Sequence, residues 1–149
     1  MTTPATNIKS GSSQYPAGRN SSAAAFYIRQ DLPSGTYTWT VPDETMVHDI
    51  NIGIHEANNA TSPSLAVGDS DSSTGYLATA DINLAAAVGT VVNAAGAGEA
   101  YAKGRYYPTS KNLVLTWVRG TPAGTPAGLT VILVRFTVMS LWNRLRNVG

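Results

Sequence analysis

The sequence predicts an all-β chain folded as an antiparallel two-sheet sandwich. Three observations predict it. The large apolar residues fall in short runs separated by Gly, Ser, Thr and Asn. Several of those runs alternate apolar with polar residues at the period of two that a half-buried strand requires. Gly- and Pro-rich stretches stand between the runs, where the backbone must turn. At 149 residues the chain is long enough for one domain with tails, burying roughly 70% of its extended-chain surface.

Residues 1–22 are mostly Thr, Ser, Asn, Gly, Pro and Ala, too poor in apolar side chains to offset the entropy of ordering a backbone. We expect a flexible N-terminal arm over 1–22, with Ile8 and Tyr15 as its anchors on a neighbouring subunit, followed by a sandwich domain over 23–138. The first strand begins at Ala24, with Phe26 and Ile28 on one face and Tyr27 and Arg29 on the other. After the turn Leu32-Pro-Ser-Gly35, residues 36–41 set Tyr37, Trp39 and Val41 against Thr36, Thr38 and Thr40, so the aromatic face points inward. Residues 46–55 carry Ile50, Ile52 and Ile54 on one face, the clearest alternation in the first half.

Residues 64–67 read as a short strand ending in the turn Gly68-Asp-Ser-Asp-Ser-Ser-Thr-Gly75. Residues 76–100 read as mostly irregular, with a helical turn or two near Ala80–Ala87 and loop composition at Ala94–Gly98. Lys111–Arg119 and Leu129–Val138 read as the strands of an edge hairpin joined by the Gly/Pro loop Gly120–Gly128. In the second of them Val131, Leu133 and Arg135 stand opposite Ile132, Val134 and Phe136. A strand apolar on both faces over much of its length is either central or covered by another subunit. Beyond it, Ser140 is placed to cap a short helix with Leu141, Trp142 and Leu145 on one side. A helix that short is marginal alone, so residues 139–149 are expected to dock, on their own domain or on a neighbour.

The chemistry-bearing residues point away from catalysis. Asp69-x-Asp71-x-Ser73 has the alternation of a calcium loop, but Thr74 stands where the sixth-position Gly belongs and Ala80 where the bidentate Glu belongs. Turn Asp and Ser side chains more often bond their own backbone. His48 and His55 are seven apart, a spacing that sends them to opposite strand faces, with His48 on the face of Ile50 and Ile52. Neither a nucleophile elbow nor a phosphate loop is present, so we expect no enzyme activity, no metal and no cofactor. Trp39 and Trp117 share faces with core residues. Tyr101, Tyr106 and Tyr107 complete a set that would serve a sugar-binding platform.

A net charge of +1 gives no field for nucleic acid. No apolar run reaches the length of a membrane span, and the N-terminus has no secretory h-region. Neither nucleic acid nor a membrane is therefore an expected partner, and synthesis is expected in a cytoplasm. With no cysteines, the fold needs neither disulfides nor thiolate metal sites.

Val67-Gly-Asp-Ser-Asp-Ser-Ser-Thr-Gly-Tyr-Leu-Ala-Thr-Ala-Asp-Ile-Asn-Leu84, Gly89-Thr90, Gly104-Arg-Tyr-Tyr-Pro108 and Thr125-Pro-Ala-Gly-Leu-Thr-Val-Ile-Leu-Val-Arg-Phe136 together resemble small β-sandwich proteins of tailed-bacteriophage structural gene clusters. The resemblance covers about the second half of the chain. It implies a jelly-roll-like capsid decoration or cement protein, commonly a homotrimer, whose partner is the major capsid protein at the outer surface of the virion. Val131, Leu133, Arg135, Ile8, Tyr15, Leu141, Trp142 and Leu145 are the expected interface residues, of which the two tails lie outside the resemblance. The same gene clusters encode fibre and spike components, which leaves a carbohydrate- or receptor-binding module as the alternative.

Overall fold

The computed structural model describes residues 8–12 and 21–139, with side chains over 22–139. The described residues form antiparallel sheets packed as an all-β sandwich, as the alternation predicts. The strands are β1 (Ile8–Ser12), β2 (Ser21–Arg29), β3 (Gly35–Val41), β4 (Thr45–Glu56), β5 (Ala60–Thr61), β6 (Ser64–Asp69), β7 (Val91–Asn93), β8 (Arg105–Tyr107), β9 (Lys111–Val118), β10 (Thr121–Pro122) and β11 (Leu129–Val138). A six-stranded sheet runs β1-β2-β11-β4-β7, with β8 also pairing β4, and a three-stranded sheet runs β3-β9-β6.

The core lies between these two sheets. Ala24, Phe26 and Ile28 of β2, Ile50 and Ile52 of β4, and Ile132, Val134 and Phe136 of β11 pack onto Tyr37 and Val41 of β3, Leu65 and Val67 of β6, and Leu113, Leu115 and Trp117 of β9. Trp39 closes one end, its ring 5.9 Å from Phe26 and 5.1 Å from Phe136, within the range at which tilted aromatic pairs attract. The indole N–H of Trp117 donates to Leu32 O at 2.8 Å, which satisfies the one polar atom that its burial would otherwise strand.

Three expectations are corrected. Within the stretch read as an arm, β1 pairs with β2 in the register Ile8↔Phe26 to Ser12↔Ser22, so that part of it is a sheet edge; Tyr15 lies outside the described residues, as do Ser140, Leu141, Trp142 and Leu145.

β9 and β11 have nearly the expected limits but form no hairpin, because each is the middle strand of a different sheet. Their connection crosses the sandwich and is held by residues 58 and 59. Asn59 Nδ2 donates to Ala123 O at 3.1 Å and Thr125 O at 2.9 Å, and Asn59 Oδ1 accepts from Ala127 N at 3.0 Å. Buried Asn58 donates to Gln30, whose Nε2 donates to Arg119 O at 2.8 Å. These bonds replace the turn that would have folded β9 back on β11.

The third correction concerns His48, which is exposed rather than on the face of Ile50. β4 carries two irregularities against β11. Arg135 pairs with Asp49 but Phe136 with Val47, and Leu129 pairs with Glu56 but Thr130 with Ile54. Each histidine is thus the extra residue of a β-bulge, which shifts the alternation by one place.

Residues 76–100, read as irregular, hold a 3-10 turn at Thr79–Asp81, the short strand β7, and a single helical turn, α1 (Ala94–Ala97). Asn93 caps α1 by accepting from Ala95 N at 2.7 Å, and Gly98 ends it in the left-handed conformation.

Candidate functional site

Two of the quoted motifs meet at one buried polar cluster, which joins Asp69 to Arg105, 36 positions apart in sequence. The carboxylate of Asp69, at the end of β6, is 0% exposed. Its Oδ1 accepts from the backbone of Asp71 at 2.9 Å and Ser72 at 3.0 Å, tying its own turn. Its Oδ2 accepts from Tyr107 Oη at 2.8 Å and from Arg105 of β8. Arg105 also donates to Asp71 at 2.8 Å, as does Lys111 at 2.6 Å, and its guanidinium lies 4.5 Å from the centre of the Tyr101 ring.

Tyr76 and Tyr107 share a hydrogen bond of 2.8 Å. Burial, followed for Tyr107 by its bonds to Tyr76 and Asp69, raises both phenols above their usual value. Hydrogen bonds from Lys111 and then Arg105 hold the Asp71 carboxyl below the usual carboxylate value. For Arg105, burial pulls downward, but the Asp71 bond and the Asp69 charge outweigh it and keep the guanidinium firmly protonated.

Gly68 and Gly75 belong to the same lock. A Cβ on Gly68 would overlap the Ser72 carbonyl, and one on Gly75 would overlap the Tyr101 ring. The motif Val67-Gly-Asp-…-Gly-Tyr-Leu77 therefore joins β6 to β8 across the sheets. Both carboxylates are engaged by cations, so the cluster positions rather than reacts. Among the described residues no group of three or more His, Cys, Asp or Glu is placed to hold a metal ion.

The surface with the composition of a contact site is the outer face of the six-stranded sheet. Registers across four strands align Tyr27, Val131, Gly53 and Val91 in one row. The next row is Ala25, Leu133, Asn51 and Asn93, and the third is Ala23, Arg135 and Asp49. Val131 and Leu133 are half-buried, Arg135 is exposed, and Val91 is 64% exposed. A Cβ on Gly53 would meet nothing within 4 Å, so this glycine floors a notch between Val91 and Val131.

Polar groups flank this apolar band on the β4 side. Asn93 Nδ2 donates to Asp49 Oδ1 at 3.0 Å, Asn51 Nδ2 donates to Asp49 Oδ2 at 3.2 Å, and Arg135 stands 3.5 Å from Asp49. An apolar centre with a fixed polar margin is the usual make-up of a protein contact surface. Of the expected interface residues, the structure thus brings Val131, Leu133 and Arg135 together on one face. Sequence reasoning missed Gly53 and Val91, which only the strand order reveals.

A separate groove of about 340 Å³ opens at the other end of β4, lined by Met46, His48, Tyr106, Thr137 and Met139. His48 Nε2 lies 2.7 Å from Thr137 Oγ1. Of the five aromatic residues considered for a sugar platform, only Tyr106 is exposed, and Tyr107 is buried.

No family model matches the sequence, and no curated protein matches it. The fold is similar to that of a chain in the acidic stable capsid structure of Helicobacter pylori bacteriophage KHP30, at 17% identity, with 87% of this chain and 92% of that chain covered and a TM-score of 0.55. A chain in the capsid of Ralstonia phage GP4 is similar at 16% identity, with 86% and 90% covered and a TM-score of 0.53. A chain in the cyanophage Pam1 capsid asymmetric unit gives 17%, 89% and 85%, and 0.47. The sandwich is a fold that chains in bacteriophage capsid structures also adopt.

Proposed function

We propose that this chain is a capsid decoration or cement protein of a tailed bacteriophage, which binds the outer surface of the shell and bridges capsomers. The observation that carries the reading is the outer face of the six-stranded sheet, where the row Tyr27, Val131, Gly53 and Val91 presents a banded apolar surface beside an ordered polar ladder. The fold shared with chains of two phage capsids supports it, as does a polar cluster that braces the sandwich instead of forming a catalytic set. In this reading Val131, Leu133 and Arg135 meet the major capsid protein or a second copy, Ile8 and Tyr15 reach a neighbouring subunit, and the working form is a homotrimer. Three weak contacts held in one assembly multiply their effective affinity.

The test is binding to particles stripped of this protein. Leu133→Glu places an unpaired carboxylate in the contact and should lower retention at least about tenfold, equivalent to about 1.4 kcal/mol, while the free protein melts within a few degrees of wild type. Undiminished binding by that variant would remove the outer face from the contact. A cryo-electron-microscopy map with density over the shell supports cementing. Density confined to a tail or vertex turns the reading to a carbohydrate- or receptor-binding module.

A further inference from the structure

We propose that the free edge of β3 is a self-association site, at which β3 pairs antiparallel with β3 of a second copy and makes the two three-stranded sheets continuous. The inference uses the sheet opposite the proposed shell-binding face and does not depend on shell binding.

One side of β3 is paired along its whole length with β9, from Gly35↔Trp117 to Val41↔Lys111, without a bulge. On its other side, among the described residues, residues 35–41 make no backbone hydrogen bond. A row of unpaired N–H and C=O groups is a template for another strand, and proteins blunt it with charge, proline, a bulge or shortness. β3, Gly35-Thr-Tyr-Thr-Trp-Thr-Val41, has seven residues and none of these devices.

The other edges are treated differently. The far edge of the same sheet is closed where Val67 of β6 and Leu77 exchange backbone hydrogen bonds of 2.9 Å in both directions. The six-stranded sheet ends on β1, five residues that include Lys9, and on β7 and β8, three residues each.

The occupant follows from the strand's own sequence. A two-fold axis through Thr38 sets Thr38 opposite its copy, Tyr37 opposite Trp39, Thr36 opposite Thr40 and Gly35 opposite Val41. Thr36 and Thr40 are exposed and Thr38 is half-buried, so the outer face of the junction is a run of Thr–Thr pairs, a favourable cross-strand combination. On the inner face Trp39 packs on Phe26 and Phe136 yet is only half-buried, because nothing described covers its flank at the open edge. Pairing brings the second copy's Tyr37 beside it and adds an aromatic contact there. The strand carries no charge, so no like charges meet across the axis to oppose self-pairing. Every requirement of this edge is met by its own copy, which is why the occupant is a second copy.

The chain has no cysteine, so single-cysteine variants of the full-length protein report the register. Opposed residues of an antiparallel pair have Cα atoms about 4.5–5.5 Å apart, within the span of a disulfide. Under mild oxidation Thr38→Cys should give a covalent dimer. Thr36→Cys and Thr40→Cys should not do so singly, since like positions then lie about 14 Å apart, but their equimolar mixture should. Thr38→Lys sets two ammonium groups face to face; it should leave the melting temperature nearly unchanged and raise the dimer dissociation constant in sedimentation equilibrium by about tenfold or more. Absence of cross-linking in both Thr38→Cys and the mixture overturns the proposal, as does equal cross-linking in all four samples. If the cysteine variants stay monomeric while Thr38→Lys lowers retention on particles, the edge receives a strand of the shell and the proposal is overturned equally.

Discussion

Replacing Asp69 by alanine tests whether the polar cluster holds the sandwich together. The substitution removes one acceptor group from five donors: the Asp71 and Ser72 amides, the Tyr101 and Tyr107 hydroxyls, and Arg105. Breaking a buried ion pair by deleting one partner costs about 3–5 kcal/mol.

The loss here falls at the lower end. Arg105 is 27% exposed and keeps Asp71, so water and the second carboxylate compensate it in part, and Tyr107 keeps its bond to Tyr76. We expect about 3 kcal/mol, which for a chain of this size lowers the melting temperature by roughly 6–12 °C. Urea unfolding followed by circular dichroism should show a lower midpoint at an unchanged slope. Asp69→Asn keeps an oxygen for the turn amides but loses the charge, and should cost about half as much. A loss below about 1 kcal/mol for Asp69→Ala would refute the view that this carboxylate joins β6 to β8.

Gly68→Ala should destabilise by about 2 kcal/mol or more, because the new methyl overlaps backbone atoms of Ser72 and Ser73 that have no room to move. Gly53→Ala is its control: with open space around the Cβ it should be neutral or stabilise by about 0.5 kcal/mol, while filling the notch weakens particle binding. Alkaline pH tests the paired phenols. Tyr76 and Tyr107 have folded values above the ordinary one near 10, so their contribution is fully present below about pH 10 and is lost as pH rises beyond it. Their tyrosinate absorbance should appear only together with loss of the near-ultraviolet dichroism. Ionisation of every tyrosine in a still-folded protein would contradict their burial.

Strands whose alternation runs five residues or longer, such as Ala24–Ile28 within β2 and Ile50–Ile54 within β4, were legible because period-two burial is a local property. β7 and β8 are three residues each, too short for any period to show. The pairing of β9 and β11 misled because alternation identifies a strand but not its partner, and the side-chain bonds of Asn58 and Asn59 that direct the crossover have no periodic signature. The bulge at His48 is likewise invisible until the facing strand is known. At the candidate site, the bonds of Asp69 to its own turn follow from the turn sequence itself. Its engagement by Arg105 and Tyr107, more than thirty residues on, is a tertiary fact. Val131, Leu133 and Arg135 were readable as a two-faced strand; Val91 and Gly53 joined them only through strand order.

The two bulges give β4 an unusual tolerance to change in length. Removing one residue from a strand ordinarily turns everything beyond it inside out. At His48 the opposite holds, because Val47 already pairs with Phe136 and Asp49 with Arg135: deletion of this one residue closes the ladder and leaves Val47 inward and Asp49 outward. The same reasoning applies at His55, between Ile54 and Glu56. The segment from Asp49 to Ile54 is thus an indivisible block, bounded on each side by a position where the gene can lose a codon without inverting the sheet. The groove end of the strand, from Met46 to His48, is thus free to vary in length independently of the core residues between the two bulges.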